Sequence, residues 1–248
     1  MRTTKVSRRP DYQPAGPPEE FIVPLLGSEI EKFIEAFLVA RVDGAFVLDV
    51  GCGRQPFRGV FEEAGLKYVG LDVEQNPEGS VEFVCGIDKG IPDELISSGP
   101  FDLILCTEVL EHVAFWDVAF ENFKTLLAKG GTILITCPFF YQLHEEPFDF
   151  WRPTAHCLET YAARFGFDVQ TRQLGDTWDV LGTALGNCRC QPRKRTFIRR
   201  IFSKLTEKGL RLFFHILRLR WIQRQVEIKA PLYLSNLAIL RVSDTSSA

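Results

Sequence analysis

The sequence predicts an α/β protein built on a parallel sheet with helices packed on both faces. Three observations predict it. Short apolar runs alternate with amphipathic ones from about residue 29 to residue 174. The run Val47-Leu48-Asp49-Val50 ends in Gly51-Cys52-Gly53, where glycines let the backbone turn sharply and come close to a ligand. An acid, Asp72, closes the next apolar run nineteen residues after Gly53.

Each element follows in order. Ser28, with Glu31 three residues on, reads as a capping box opening a helix over 29–41. Its apolar positions Ile30, Phe33, Ile34, Phe37 and Leu38 repeat at helical spacing. A strand is expected over 45–50, a helix over 57–65 ending at Gly65, and strands over 67–72 and 81–85. Pro100 precedes a strand over 101–106. A helix over 115–128 stops at Gly130-Gly131, before a strand over 132–137. Residues 138–154 are aromatic, acidic and proline-rich, with no clean period. A helix over 155–165 and a strand over 167–174 follow, and Tyr233–Val242 reads as the closing strand.

Composition bounds the rest. The 248 residues suffice for one large domain, expected over 21–248. Proline, glycine and charge dominate residues 1–20, which read as a disordered tail. No apolar segment follows their basic residues as in a secretory signal, and no run is long enough to span a bilayer, so a cytoplasmic protein is expected. Seven cysteines without a C-x-x-C pair read as small buried residues in a reducing compartment. Cys188 and Cys190 lie close together but lack further ligands, so no metal site is expected. The net charge of −3 makes no strong claim on partners, but the charge is segregated. From Arg189 to Arg224 there are twelve Lys or Arg and one acid, Glu207. This region belongs to a basic helical insertion expected over about 176–228. Phe197, Ile198, Ile201, Phe202 and Leu205 share one helical face in it. Segment 193–224 reads either as a solvated helix packed on the domain or as a peripheral contact with an anionic membrane.

The glycine turn narrows the ligand. A strand ending in such a turn is where open α/β sheets bind nucleotide-like cofactors. A dinucleotide fingerprint needs a third glycine where this chain has Pro56. Asp49 suits an ammonium group better than a pyrophosphate. The pocket therefore suits adenosine joined to a cationic amino acid, with Asp72 accepting from ribose hydroxyls.

The runs VLDVGCG (47–53), YVGLD (68–72), FDLILCTEVLEHV (101–113) and GGTILITCPF (130–139) resemble the class I S-adenosylmethionine-dependent methyltransferases, in the family's order. The resemblance implies a Rossmann-like, seven-stranded, mostly parallel sheet with one antiparallel strand, and S-adenosylmethionine as cofactor. It implies that Asp49, Gly51, Cys52 and Gly53 surround the amino-acid end of the cofactor and that Asp72, with Val73 beside it, takes the ribose. Asp88 would sit by the adenine, with Thr107 and Glu108 lining the floor. Glu108 and His112, four apart, would share a helical face. His112 would touch the cofactor or serve a structural role.

Residues 138–154 resemble a methyltransferase subset with the pattern P-F-x4-H-x-x-P-x-D-[FY]-x-R-x-T, associated with cell-surface glycans and secondary metabolites. There His144 is the expected base for an acceptor hydroxyl. Asp149 orients it or binds a sugar hydroxyl, and Arg152 pairs with Asp149 or grips an anion. The competing reading is a structural lid closed by an Asp149–Arg152 ion pair. His156, on the next helix, reads as a surface or packing residue. The expected activity is O-methylation of a small polar acceptor, such as a sugar or lipid-linked glycan. The alternatives are an RNA methyltransferase using the basic segment, or a non-catalytic cofactor-binding partner subunit. No RNA-binding motif accompanies the basic segment, which argues against a nucleic-acid partner.

Overall fold

Strand β1 (Phe46–Val50) is buried on both its faces, as a central parallel strand must be. In this computed structural model, which describes residues 11–40, 44–188, 190–191, 196–217 and 219–243, it is joined by β2 (Lys67–Asp72), β3 (Phe83–Val84), β4 (Phe101–Thr107), β5 (Leu127–Pro138), β6 (Phe167–Leu174) and β7 (Ser235–Val242). The order across the sheet is β3-β2-β1-β4-β5-β7-β6. Strands β1 to β5 pair in parallel, and β7 runs antiparallel to both β5 and β6. This is the seven-stranded sheet with one reversed strand that the sequence implied. The chain steps outward from β1 to β3, then jumps to β4 on the other side. A crevice therefore opens beyond the carboxyl ends of β1 and β4.

The helices are α1 (Ile22–Ala40), α2 (Arg58–Glu63), α3 (Asp93–Ser98), α4 (Trp116–Leu126), α5 (Ala155–Arg164), α6 (Thr177–Gly186), α7 (Phe197–Leu217) and α8 (Arg220–Gln223). They cover the sheet on two sides because alternate residues of each strand point to opposite faces. Leu48 and Val50 pack into one core with Trp116, Phe120 and Phe123 of α4 and Leu158 of α5. Val47 packs into the other with Ile30 and Ile34 of α1. Each fully buried side chain of this size contributes about 1.5–3 kcal/mol.

Several boundaries differ from the sequence expectation, each for a physical reason. Helix α1 begins at Ile22, so Ser28 lies inside it rather than capping it. Pro24 is accommodated in the first turn, where a backbone N–H has no helical partner to lose. Buried Ile22, Val23 and Leu26 extend the apolar face back beyond Ile30. Helix α4 ends at Leu126 and β5 starts at Leu127. Phe101 pairs with Leu127 but Leu103 with Thr132, so the residues between loop out around Gly130. Gly130 holds the left-handed φ of 79° that this loop requires. Strand β3 keeps only two paired residues.

Of the expected tail, residues 1–10 lie outside the described residues. Within residues 11–20 the chain makes contacts with the domain. The Tyr12 ring lies 5.2 Å from that of Phe57, and Pro17–Glu19 forms a short 3-10 turn. Between β6 and β7 the chain forms α6, α7 and α8. Asp176 and Asp179 build a reciprocal capping box at the start of α6. Phe214 and Leu217 anchor α7 in the core, Phe214 edge-on to Phe21 of the region before α1. Residues 189, 192–195 and 218 of the basic segment lie outside the described residues. Among the described residues, no helix is long and apolar enough to cross a membrane.

Candidate active site

The carboxyl end of β1 delivers Asp49 and the glycine turn to the crevice. Gly51 and Gly53 take left-handed φ values of 69° and 52°. A Cβ on Gly51 would stand 2.3 Å from Cγ2 of Val109, so only glycine fits. The Gly51 and Cys52 N–H groups donate to the Leu71 carbonyl at 2.7 and 3.1 Å, tying the turn to the end of β2. The Gly53 N–H donates to Asp72 Oδ2 at 2.8 Å. Asp72 thus braces the turn, and its Oδ1 accepts from the Glu74 N–H at 3.3 Å.

Asp49 is buried. The Tyr68 hydroxyl donates to its Oδ2 at 2.5 Å. Burial pushes the Asp49 pKa up to about 7; the Tyr68 bond opposes this and the Asp72 charge adds to it. Cys52 is buried under the turn, and burial pushes its thiol pKa up, so it is an inert group there. Val73 is exposed at the lip. Asp88 is placed at the start of α4, where its Oδ2 accepts from the Ala114 and Phe115 N–H groups at 3.2 and 3.3 Å. Thr107, ending β4, accepts a hydrogen bond from the Tyr12 hydroxyl at 3.1 Å.

Glu108 does not share a helical face with His112. It takes a left-handed φ of 54°, which costs a non-glycine residue about 1–3 kcal/mol. Two bonds from its N–H, to the Thr136 carbonyl (3.0 Å) and Oγ1 (3.1 Å), hold it there. Its Oε1 accepts from Ser235 Oγ at 3.1 Å. Leu110–His112 forms a 3-10 turn, so the four-residue helical spacing does not apply. Instead Glu111, absent from the sequence-based candidates, is carried inward and is fully buried. Its signal was the second acid of Glu108-Val109-Leu110-Glu111-His112, directly before the histidine.

The segment after β5 closes over this turn. The Phe150 and Trp151 N–H groups donate to the Glu111 carbonyl at 2.8 and 3.2 Å. The Trp151 indole donates to the Val113 carbonyl at 2.8 Å. Arg152 grips Asp149 with two bonds of 2.6 and 2.7 Å and donates to the Gln142 and Trp151 carbonyls. Asp149 Oδ2 also accepts from the His144 backbone N–H at 2.9 Å, and His144 Nδ1 stands 3.3 Å from the same oxygen. Burial opposes ionisation of Asp149, but the Arg152 bonds win and hold its pKa below the ordinary carboxylate value. The ion pair expected of a structural lid is present, and Asp149 also holds the His144 backbone and faces its ring, whose Nδ1 is buried with no hydrogen-bond partner among the described residues.

His144 and His112 rings meet edge to face at 4.7 Å. His112 Nδ1 lies 2.9 Å from the Phe148 carbonyl. Glu111 Oε1 faces the Nε2 atoms of His112 and His144 at 3.7 and 4.0 Å. Burial, with Glu108 adding its charge, pushes the Glu111 pKa well above the ordinary range. Burial, with His112 adding, pushes the His144 pKa down. His156 lies on the surface, paired with Glu159 at 3.0 Å. The structure thus brings His144, Asp149, Arg152, His112 and Glu111 into one cluster, at the sheet edge that also carries the glycine turn.

A family described as Methyltransferase domain matches residues 25–201. A curated relative, a ubiquinone biosynthesis O-methyltransferase of Bordetella avium, is 27% identical over 123 residues, 46% of this chain and 48% of that protein. The chain therefore spans about half the length of the curated relative it matches. A SAM-dependent methyltransferase from Archaeoglobus fulgidus has a similar structure, with TM-score 0.53, 15% identity, and 88% of this chain and 93% of that one covered. Haemonchus contortus phosphoethanolamine N-methyltransferase 2, solved with S-adenosyl-L-methionine, has TM-score 0.50 and 20% identity, with 88% of this chain and 53% of that one covered.

Proposed function

Because this chain belongs to the methyltransferase-domain family, we propose that it transfers a methyl group from S-adenosylmethionine to a hydroxyl of a small polar acceptor, a sugar or lipid-linked glycan. The observation that carries this reading is His144. Asp149 and Arg152 hold it at the carboxyl edge of the sheet, on the same edge as the Gly51–Gly53 turn. Methyl transfer from a sulfonium is an in-line displacement, so alignment of the acceptor oxygen and exclusion of water do most of the work. A hydroxyl oxygen becomes nucleophilic as its proton is drawn away. The His144 end of the crevice is the group that draws on it. Asp149 and Arg152 fix its orientation.

At the cofactor end, Asp49 meets the ammonium group and Gly51, Cys52 and Gly53 offer backbone at close range. Asp72 takes ribose hydroxyls with Val73 covering them. Asp88, Thr107, Glu108 and His112 complete the cofactor wall. Phe148, Phe150 and Trp151 are partly exposed in the same segment as His144 and suit stacking on a ring-shaped acceptor. An oxygen acceptor agrees with the Bordetella avium relative being an O-methyltransferase by name. A lipid-linked acceptor agrees with α7, whose Phe197, Ile198, Phe202 and Leu205 are exposed among basic residues.

Calorimetric titration with S-adenosylmethionine, S-adenosylhomocysteine and NAD tests the reading. Micromolar binding of the first two and none of NAD is expected. Asp72→Ala weakens binding at least tenfold. His144→Ala leaves S-adenosylhomocysteine binding intact and lowers turnover on glycan acceptors at least a hundredfold. Silence for both sulfur ligands overturns the function, and full turnover by His144→Ala overturns the role of His144.

A further inference from the structure

Three electron-pair donors converge, and the carboxylate oxygen among them has no hydrogen-bond donor among the described residues. The Phe148 carbonyl can only accept, so His112 carries its proton on Nδ1 and presents a lone pair at Nε2. The Asp149 carboxylate oxygen stands 3.3 Å from His144 Nδ1 without closing a hydrogen bond, and its charge favours the proton there, leaving Nε2 as the lone pair. Between these two nitrogens lies Glu111 Oε1, fully buried and without a hydrogen-bond partner among the described residues. Its sister oxygen Oε2 is held by the Cys137 thiol at 3.8 Å. A proton on Glu111 would serve one of the two nitrogens, and an unprotonated Oε1 stays buried without a partner among the described residues. A buried polar atom left in that state is costly, and native folds rarely tolerate it.

We infer that Glu111, His112 and His144 bind a divalent first-row transition cation of the zinc class, on which the acceptor hydroxyl is seated. The three ligand atoms lie within 4.8 Å of one another. Ligands about 2.1 Å from a cation stand about 3.0–3.4 Å apart. The observed separations of 3.7 and 4.0 Å are wider than that, so a bound cation draws the three side chains together. Two imidazoles and one carboxylate are a donor set that borderline cations favour, and three protein ligands leave coordination positions open for a substrate oxygen. The outer contacts fit as well. Ligating histidines characteristically present their second nitrogen to a carbonyl or a carboxylate. Here His112 meets the Phe148 carbonyl and His144 meets Asp149, itself clamped by Arg152. Glu145 Oε2, 3.7 Å from His112 Nε2, adds negative charge at the rim.

This deepens the proposed O-methylation and rests on it for the identity of the seated oxygen. The cation acts as a Lewis acid on that oxygen. The O–H bond breaks and its proton passes to water. The oxygen then forms a bond to the methyl carbon while the carbon–sulfur bond breaks, its electron pair staying on sulfur to give a neutral thioether. His144 draws on the hydroxyl through the cation.

The full chain, freed of metal by a chelator, is titrated with Zn²⁺ by calorimetry and with Co²⁺ by visible absorption. One equivalent of each is expected to bind, and the Co²⁺ spectrum to show d–d bands without sulfur charge transfer. Glu111→Gln and His144→Gln are each expected to weaken binding at least tenfold while S-adenosylhomocysteine binding stays within twofold, which shows that both variants fold. Absence of saturable binding, a thiolate spectrum, or unchanged affinity in both variants overturns the cation site. If S-adenosylhomocysteine binds and no cation does, His144 is the direct base and the methyltransferase reading stands. If the cation binds and S-adenosylhomocysteine does not, the proposed function fails and the cation site stands alone.

Discussion

Asp49 shows how one residue couples folding to ligand binding. Its carboxyl is buried beside Tyr68 and titrates near 7 instead of at 3.8. Below about pH 4 the group is protonated in both folded and unfolded chains, and its burial carries no charge penalty. As pH rises from the unfolded value through 7, the unfolded chain loses this proton first, so stability falls across that window and then levels off. Three pKa units correspond to about 4 kcal/mol, as an order of magnitude. Asp49→Asn keeps an oxygen for the Tyr68 hydroxyl but cannot ionise. It is expected to be more stable than the native chain at pH 8 in denaturant unfolding, with the gap closing towards pH 4. An ammonium group arriving at Asp49 favours the ionised form. Binding of S-adenosylmethionine at pH 6 is therefore expected to release close to one proton, read as the dependence of calorimetric heat on buffer ionisation enthalpy. Release at pH 6 in Asp49→Asn would remove Asp49 from the cofactor contacts.

At the scale of elements, the 3-10 turn after β4 and the irregular segment after β5 build the reacting end together. Neither has a period that sequence patterning can read. Glu108 sits in a strained left-handed conformation because Thr136 of β5 takes its N–H twice. Only that tertiary bond explains why the following residues turn tightly and swing Glu111 into the core. The periodic elements behave differently. Helix α4 carries Phe120 fully buried, its ring 5.8 Å from Phe123, 5.5 Å from Tyr161 and 5.6 Å from Phe165. Phe120→Ala is expected to cost about 3–5 kcal/mol, read as a lowered denaturant midpoint with little change in slope. A loss under 1 kcal/mol would mean that α4 and α5 collapse into the space. Residues 11–20 belong to this scale too. Their composition reads as disorder, while Tyr12 has an aromatic neighbour in Phe57 and a hydroxyl partner in Thr107.

Across the whole molecule the charge is divided. The basic stretch from Arg189 to Arg224 stands against an acidic remainder. Helix α7 turns Phe214 and Leu217 into the domain while Phe197, Ile198 and Phe202 stay exposed near Arg199, Arg200 and Lys204. This arrangement predicts co-sedimentation with phosphatidylglycerol vesicles at low salt, and release at about 0.5 M salt as the screening length falls well below 10 Å. Equal recovery with neutral phosphatidylcholine vesicles would remove electrostatics from the account. The sequence by itself determined the sheet, the helices on its two faces, the glycine turn and the order of the motifs. It could do so because strand and helix periodicity, and glycine where a Cβ cannot fit, are local properties of the chain. It also placed His144, Asp149 and Arg152 in one segment, and the structure joins them as a linked set. Only the tertiary structure decided where α1 starts, how β5 loops out at Gly130, and that Glu111 rather than Glu108 meets the two histidines. Those outcomes depend on partners far along the chain, Thr136, Phe148 and Leu103 among them, and no local pattern encodes which distant atom will take a given hydrogen bond.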